Sequence, residues 1–251
     1  MPHRRSCRCK RDAAAAGSNI GCIPERNYQM AHINIAIDGP AGAGKSTIAR
    51  LLSKAMGFMY VDTGAMYRTI GLYLLRSGVS ADDEAGISRA LEDIDVNVEF
   101  IGGEQHVYLN GEDVTGQIRT EAVGNMASAC SVYADVRTRL VRMQQEIGKK
   151  YQVVMDGRDI GTVVLPDAAV KIFLTASPEI RAQRRCGELE AKGEPYDYES
   201  VLRDIIDRDY RDSHRENSPL KQADDAVLVD TSDMGIDQVV SAIREIIDRA
   251  G

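Results

Sequence analysis

INIAIDGPAGAGKST, residues 33–47, joins an isoleucine-rich apolar run to a glycine-rich turn that closes on Lys45 and Ser46. Gly39, Pro40, Ala41, Gly42, Ala43, Gly44, Lys45 and Ser46 satisfy G-x-x-x-x-G-K-[ST], with Thr47 beyond. Ile48, Leu51, Leu52 and Ala55 then fall on one helical face, so the motif lies between a strand and a helix as a phosphate cradle requires. Glycines let backbone N–H groups turn toward phosphate oxygens, and the helix N-terminus adds its dipole. Lys45 has the reach for the β- and γ-phosphates, and the Ser46 hydroxyl can hold Mg²⁺. The residues point to a nucleoside triphosphate.

Working outward, FMYVDTG (58–64) repeats the order of strand, carboxylate and turn. GAMYRTIGLYLLRSG (64–78) is apolar at helical spacing and stops at Gly78. Between 94 and 119 the period changes to alternation, with Gly102-Gly103 and Asn110-Gly111 as hairpin signals. Helix returns over 133–148, where Val136, Leu140, Met143 and Ile147 form a stripe. Apolar runs at 151–155 and 169–174 bracket DGRDIG, 156–161. Two charged helices follow over 178–217, hinged near KGEPYD, then a strand at 226–230 and a last amphipathic helix. The expected fold is α/β: a parallel sheet of about five strands with helices on both faces and a small antiparallel insert.

Composition narrows the functional classes. A chain of 251 residues with 43% hydrophobic and 27% charged residues has the make-up of an ordinary globular protein. The net charge of −7 argues against a general nucleic-acid binder, and no apolar run has the length to span a bilayer. The five cysteines form no paired zinc pattern and fit a reducing, cytoplasmic setting. The first thirty residues are basic, then alanine-rich, then polar, and a second methionine, Met30, stands just before the apolar run. Three readings compete: a disordered tail, a targeting peptide, or an upstream extension of a protein that starts at Met30. The missing apolar core argues against a secretory signal, and a disordered extension with no part in the chemistry is expected.

What is done with the triphosphate depends on the arginines. A guanine-reading N-K-x-D is absent, and the length suits a small kinase. Phosphoryl transfer between two anions needs cations around the transferring group. Arg68, Arg137 and Arg158 each stand beside a predicted strand. Seven arginines between 181 and 215 share that window with nine acids, so a solvated, salt-bridged pair of helices accounts for residues such as Arg181 and Arg203 as well as phosphate binding does. Arg208, Asp212 and Arg215 are spaced i, i+4, i+7, which puts them on one helical face, with Arg211 one step round. Folded over the cradle, such a face would exclude water and act as a lid. By itself, DGRDIG is equally consistent with a metal site, an acid–base pair or a structural turn.

Taken together, IDGPAGAGKST, VDTGAMYR, NGEDVTGQIRT, DGRDIGTVV followed by PDAAVKIFLTAS, and RDSHRENSPL resemble the bacterial cytidylate kinases, in order and in spacing, from about 33 to 249. The resemblance implies transfer of the ATP γ-phosphoryl group to CMP or dCMP. It implies a core at 31–62 and 151–251 with a lid at about 178–220, and an insert at 63–150 that binds the monophosphate. By position, Ser128, Arg137 and Asp159 would read cytosine, and Thr63 and Tyr67 would line the pocket. Arg68, Arg158 and Arg215 would hold the CMP phosphate, and Arg208 and Asp212 would meet the sugar. Lys45, Arg158, Arg208 and Arg215 would neutralise the transferring group. Asp156 stays open between anchoring the turn and supporting Mg²⁺.

Two other readings compete. One is a small P-loop kinase acting on UMP, dTMP or a metabolite hydroxyl, for which Asp62 or Asp159 would serve as base. The other is a nucleotide-dependent RNA adaptor, which three phenylalanines and no tryptophan disfavour. A monomer without membrane or nucleic-acid partners is expected.

Overall fold

The computed structural model describes residues 33–250; the extension expected over 1–30 lies outside them. Strand β1, Ile35–Asp38, is buried along its whole length, and its alternate side chains feed two cores. Ile35 and Ile37 pack with Ile48 and Leu52 of α1 (Lys45–Met56) and with Val239 and Ile243 of α8 (Ile236–Ala250). Ala36 faces the other way, into a cluster with Val61, Met155, Ile160 and Val164. This two-sided burial explains why the strand reads as an apolar run rather than an alternating one.

The sheet runs β2-β6-β1-β7-β8, parallel throughout: β2 is Met59–Asp62, β6 Val153–Gly157, β7 Val170–Thr175 and β8 Val227–Asp230. Asp38 pairs in register with Gly157 and Asp62 with Asp156. The carboxylates and turns that end β1, β2 and β6 therefore share one edge of the sheet, where open α/β sheets bind ligands.

The antiparallel insert forms as the alternation implies. β3 (Val96–Ile101), β4 (Glu104–Leu109) and β5 (Glu112–Asp113) are joined by turns at Gly102-Gly103 and Asn110-Gly111, all four with positive φ. It covers α2 (Thr63–Arg76), and Met66, Ile70, Val107, Leu109 and Leu140 share a separate apolar cluster. α5, Ala134–Lys150, closes that cluster. Two helices here go beyond what the sequence pattern predicts: α3, Glu84–Glu92, and α4, Glu121–Cys130. The first is short, and the second, EAVGNMASAC, buries a stripe of mostly small residues, Val123, Ala127 and Cys130, with weak contrast to its other face. Their caps, Asp83 and Thr120, are the legible signals, accepting from Gly86 N and Val123 N.

The charged helices are α6, Pro178–Ala191, and α7, Tyr198–His214. They break where expected: Lys192 caps the first, Gly193 takes φ 72°, and Asp197 caps the second. Arg215 is not on the helical face but at its C-cap, with ψ 143°, because the chain turns there toward Ser218-Pro219.

One glycine fixes how β1 meets β7. A Cβ on Gly39, whose φ is 145°, would lie 1.9 Å from the Leu174 carbonyl oxygen. Gly39→Ala is expected to lower the unfolding free energy by more than about 2 kcal/mol in denaturant titration. Gly187, in the middle of α6, is the contrasting case, since a Cβ there would meet nothing within 4 Å. Gly187→Ala should stabilise by about 0.5–1 kcal/mol.

Candidate active site

Beyond β1 the chain runs through the glycine turn and enters α1 from Gly44, which sits in the left-handed region at φ 91°. Lys45 Nζ donates to the Pro40 carbonyl at 2.7 Å, so the lysine is folded back across its own loop. Ser46 Oγ donates to Asp156 Oδ2 at 2.9 Å, and Tyr60 Oη donates to Asp156 Oδ1 at 2.9 Å. Asp156 is thus tied to the cradle by its side chain, while its backbone carbonyl accepts from Thr63 Oγ1 at 2.8 Å.

Two cavities open here. The larger, about 1170 Å³, is lined by Ala41, Gly42, Ala43, Gly44, Lys45, Ser46 and Thr47 on one side and by α6 and α7 on another. The smaller, about 200 Å³, takes in Thr63, Tyr67, Arg68, Ser128, Arg137, Arg158, Asp159, Arg208, Asp212 and Arg215. All ten residues assigned to the acceptor by the resemblance therefore line one cavity. Lys45, Ser46, Arg68 and Arg208 line both. Gly39 and Pro40 line neither: Gly39 packs against Leu174, and Pro40 offers its carbonyl to Lys45.

Local structure aims these side chains. The last residue of β6, Gly157, leaves room that a Cβ would take from Ile160 and from Thr63 Oγ1, at 2.6 and 2.8 Å. A single π-helical turn, Ile160–Val164, follows, and Asp38 accepts from Ile160 N and Gly161 N at 2.8 and 2.7 Å. Such turns are frequent at functional sites. Held this way, Asp159 accepts from Arg137 Nη2 and lies 3.7 Å from Arg215 Nη2. Arg158 Nε donates to Asp212 Oδ2 at 2.8 Å. Arg215 Nε donates to the Ser218 carbonyl at 2.7 Å.

Buried polar atoms in folded proteins are nearly all paired. Among the described residues six buried side-chain atoms lack a hydrogen bond, and four of them belong to the smaller cavity: Tyr67 Oη, Arg137 Nε, Arg208 Nε and Arg215 Nη2. Donors concentrated in this way fit an acceptor-rich ligand.

Charge agrees with that. The smaller cavity is lined by six cationic side chains and four carboxylates, a local excess of positive charge in a chain whose net charge is −7. Burial, then Arg158 and Arg208 facing it, push Lys45 below the ordinary lysine range. Burial and Arg158 bring Arg208 down to about 10. Burial and the neighbouring Asp62 hold the Asp156 carboxyl above the usual carboxylate range. An anion placed among Lys45, Arg158 and Arg208 would relieve the first two shifts.

Some contacts around the site have no counterpart in the sequence pattern. Asp62 caps α2 by accepting from Ala65 N at 2.9 Å and also accepts from Arg119 Nη2 at 2.7 Å. Gln105, on β4, accepts from Asp62 N at 2.6 Å and donates to its carbonyl at 3.1 Å, joining insert to core. Arg119 lies within the quoted NGEDVTGQIRT, but partner choice across 57 residues leaves no local signal. Arg181 is no solvated helix residue; it is 2% exposed.

Residues 35–249 match the protein family described as cytidylate kinase. A cytidylate kinase of Caldicellulosiruptor saccharolyticus is 48% identical over 86% of this chain and 96% of its own length. One from Leuconostoc mesenteroides is 51% identical over 87% and 98%. Among solved structures, a gluconokinase from Sinorhizobium meliloti aligns with a TM-score of 0.48 at 14% identity, covering 87% of this chain and 94% of that one.

The Asp38 carboxyl yields a signed prediction. Burial first, with Asp159 adding to it, raises it from 3.8 to about 6 despite the two backbone donors and Lys45. Between those values the native state holds a proton that the unfolded state has lost, so this group's contribution to stability falls as pH rises. The unfolding free energy of wild type minus that of Asp38→Asn should fall by up to about 3 kcal/mol from pH 4 to pH 6, then level off. A difference that rose through that window would contradict the assignment.

Proposed function

Because the chain belongs to the cytidylate kinase family, we propose that its two joined cavities bind ATP and CMP on either side of Lys45 and Arg208. The reaction is transfer of the γ-phosphoryl group of ATP to CMP or dCMP, giving ADP and CDP or dCDP. The observation that carries the site assignment is the set of unpaired donors on Tyr67, Arg137, Arg208 and Arg215 around the smaller cavity. Those donors sit beside the cradle lysine.

The larger cavity takes ATP, its phosphates on the backbone N–H groups of residues 41–46 and on Lys45. In the smaller, Arg68, Arg158 and Arg215 hold the CMP phosphate, and Arg208 and Asp212 meet the ribose. Ser128, Arg137 and Asp159 read the base. Cytosine presents an N4 donor beside an N3 acceptor, so a carboxylate near one and a guanidinium near the other select it. Uracil reverses both, leaving buried partners unpaired at about 1–3 kcal/mol per group. Thr63 acts as a wall, since its hydroxyl is already given to the Asp156 carbonyl, and Tyr67 lines the pocket with a free hydroxyl.

A phosphate oxygen of CMP attacks the γ-phosphorus while the bond to the β,γ-bridging oxygen breaks and ADP leaves. The nucleophile is already an anion, so no general base is required; catalysis is alignment and charge neutralisation by Lys45, Arg158, Arg208 and Arg215. The structure disfavours a hydroxyl acceptor: Asp62 is engaged by Arg119 and the α2 N-terminus, and Asp159 by Arg137. Mg²⁺ fits at Ser46 with Asp156 beside it, because a cation there would relieve a buried carboxylate held above its usual range. Among the described residues no three His, Cys, Asp or Glu side chains converge, as suits an ion that draws most ligands from phosphates and water. When bound it offsets charge between the β- and γ-phosphates. No described helix is long and apolar enough to cross a membrane. The reading takes the enzyme as a cytoplasmic monomer.

ADP release measured with CMP, dCMP, UMP, dTMP and AMP tests the reading. CMP and dCMP should turn over fastest, and equal turnover with UMP or AMP would refute the cytosine assignment. Lys45→Ala should lower kcat by about 10³-fold or more, with the calorimetric Kd for CMP within about threefold. A merely modest loss of rate would remove Lys45 from the transfer step.

A further inference from the structure

Arg181 of α6 distributes its guanidinium over three separate parts of the protein. Nε donates to the Ala176 carbonyl beyond β7 at 2.9 Å, and Nη1 to the Ala41 carbonyl in the cradle at 3.1 Å. Nη1 also reaches Asp209 Oδ1 of α7 at 3.0 Å, and Nη2 bonds Asp209 Oδ2. Its stem packs on the cradle as well: a Cβ on Gly42 would lie 3.2 Å from Arg181 Cβ. At 2% exposure its hydrogen bonds go to protein acceptors, and its fork matches a carboxylate in a way no lysine can. Asp209 follows Arg208 directly and precedes by three residues Asp212, which holds Arg158. The clasp therefore joins the loop that takes the donor phosphates to the helix that carries two acceptor-side groups.

We infer that Arg181 is a positioning residue. Through Asp209 it sets Arg208 and Asp212 relative to the phosphate cradle, so that donor and acceptor phosphates align, and it does not itself bind phosphate. A buried ion pair of this kind contributes little net stability against a hydrophobic replacement, but a misplacement of about 1 Å in an aligned site costs as much as about 10²-fold in rate. The inference rests on the kinase reading above.

The test is a double-mutant cycle on Arg181→Lys and Asp209→Asn, with melting temperatures measured alongside. Each single variant should lower kcat/KM for CMP by about tenfold or more, with KM for ATP within about threefold. The double variant should fall no further than about twofold below the worse single, because both break the same clasp. A raised KM for ATP in Arg181→Lys with Asp209→Asn silent would show a phosphate ligand and overturn the inference. Lowered melting temperatures with kcat/KM preserved would also overturn it, by showing a clamp on the fold alone. Wild-type turnover of CMP against UMP, measured in the same series, reports on the kinase reading separately.

Discussion

The parallel register of three strands is the constraint from which the site follows. Pairing Asp38 with Gly157 and Asp62 with Asp156 lines up the ends of β1, β6 and β2, each carrying a carboxylate at the edge where a ligand can enter. Carboxylates set side by side in a buried place are costly, and each is offset differently. Asp38 receives two backbone N–H groups, Asp62 a helix N-terminus and Arg119, and Asp156 two hydroxyls. Those attachments also shape the site. Asp38 fixes the turn that presents Asp159, Asp62 starts the helix that carries Tyr67 and Arg68, and Asp156 binds the cradle helix to β6.

Opposite this acidic row stand Lys45 and the arginines of α2, α5, α7 and the α7 cap, with Arg158 just beyond β6. Arg137, Arg158 and Arg215 have carboxylate partners, yet Arg137, Arg208 and Arg215 each keep an unpaired donor. The lowered titration of Lys45 and Arg208 has the same origin: burial first, then the positive charge of Arg158 beside them. Two phosphorylated substrates would supply the missing negative charge. On the proposed reading, affinity, orientation and transition-state neutralisation would come from one arrangement.

Much of this was legible in the sequence because it is carried by short-range rules. The five strands and the cradle follow from apolar runs ended by Asp and Gly, and the insert from alternation between Gly102-Gly103 and Asn110-Gly111. What escaped depends on partners distant in the chain or on weak local contrast. The apolar stripe of α4 is made of mostly small residues; Arg181 looks like a surface cation until Asp209 meets it, and nothing local marks exposed Arg119 as the partner of Asp62. Arg215 keeps its place in the cavity although the helix ends before it. Asp156, ambiguous as part of DGRDIG, is joined to Ser46 and Tyr60 and not to its own turn. The assignment of Ser128, Arg137 and Asp159 to the base came from family resemblance alone, and spacing would not have found it.

The central claim is that the Asp159 carboxylate, fixed against Arg137, selects cytosine. Its most direct test is kcat/KM for CMP and for UMP in wild type and in Asp159→Asn, which keeps the shape but replaces an acceptor-only group with one that also donates. The CMP-to-UMP ratio should fall by about tenfold or more. A ratio left unchanged while both values dropped together would contradict base reading by Asp159.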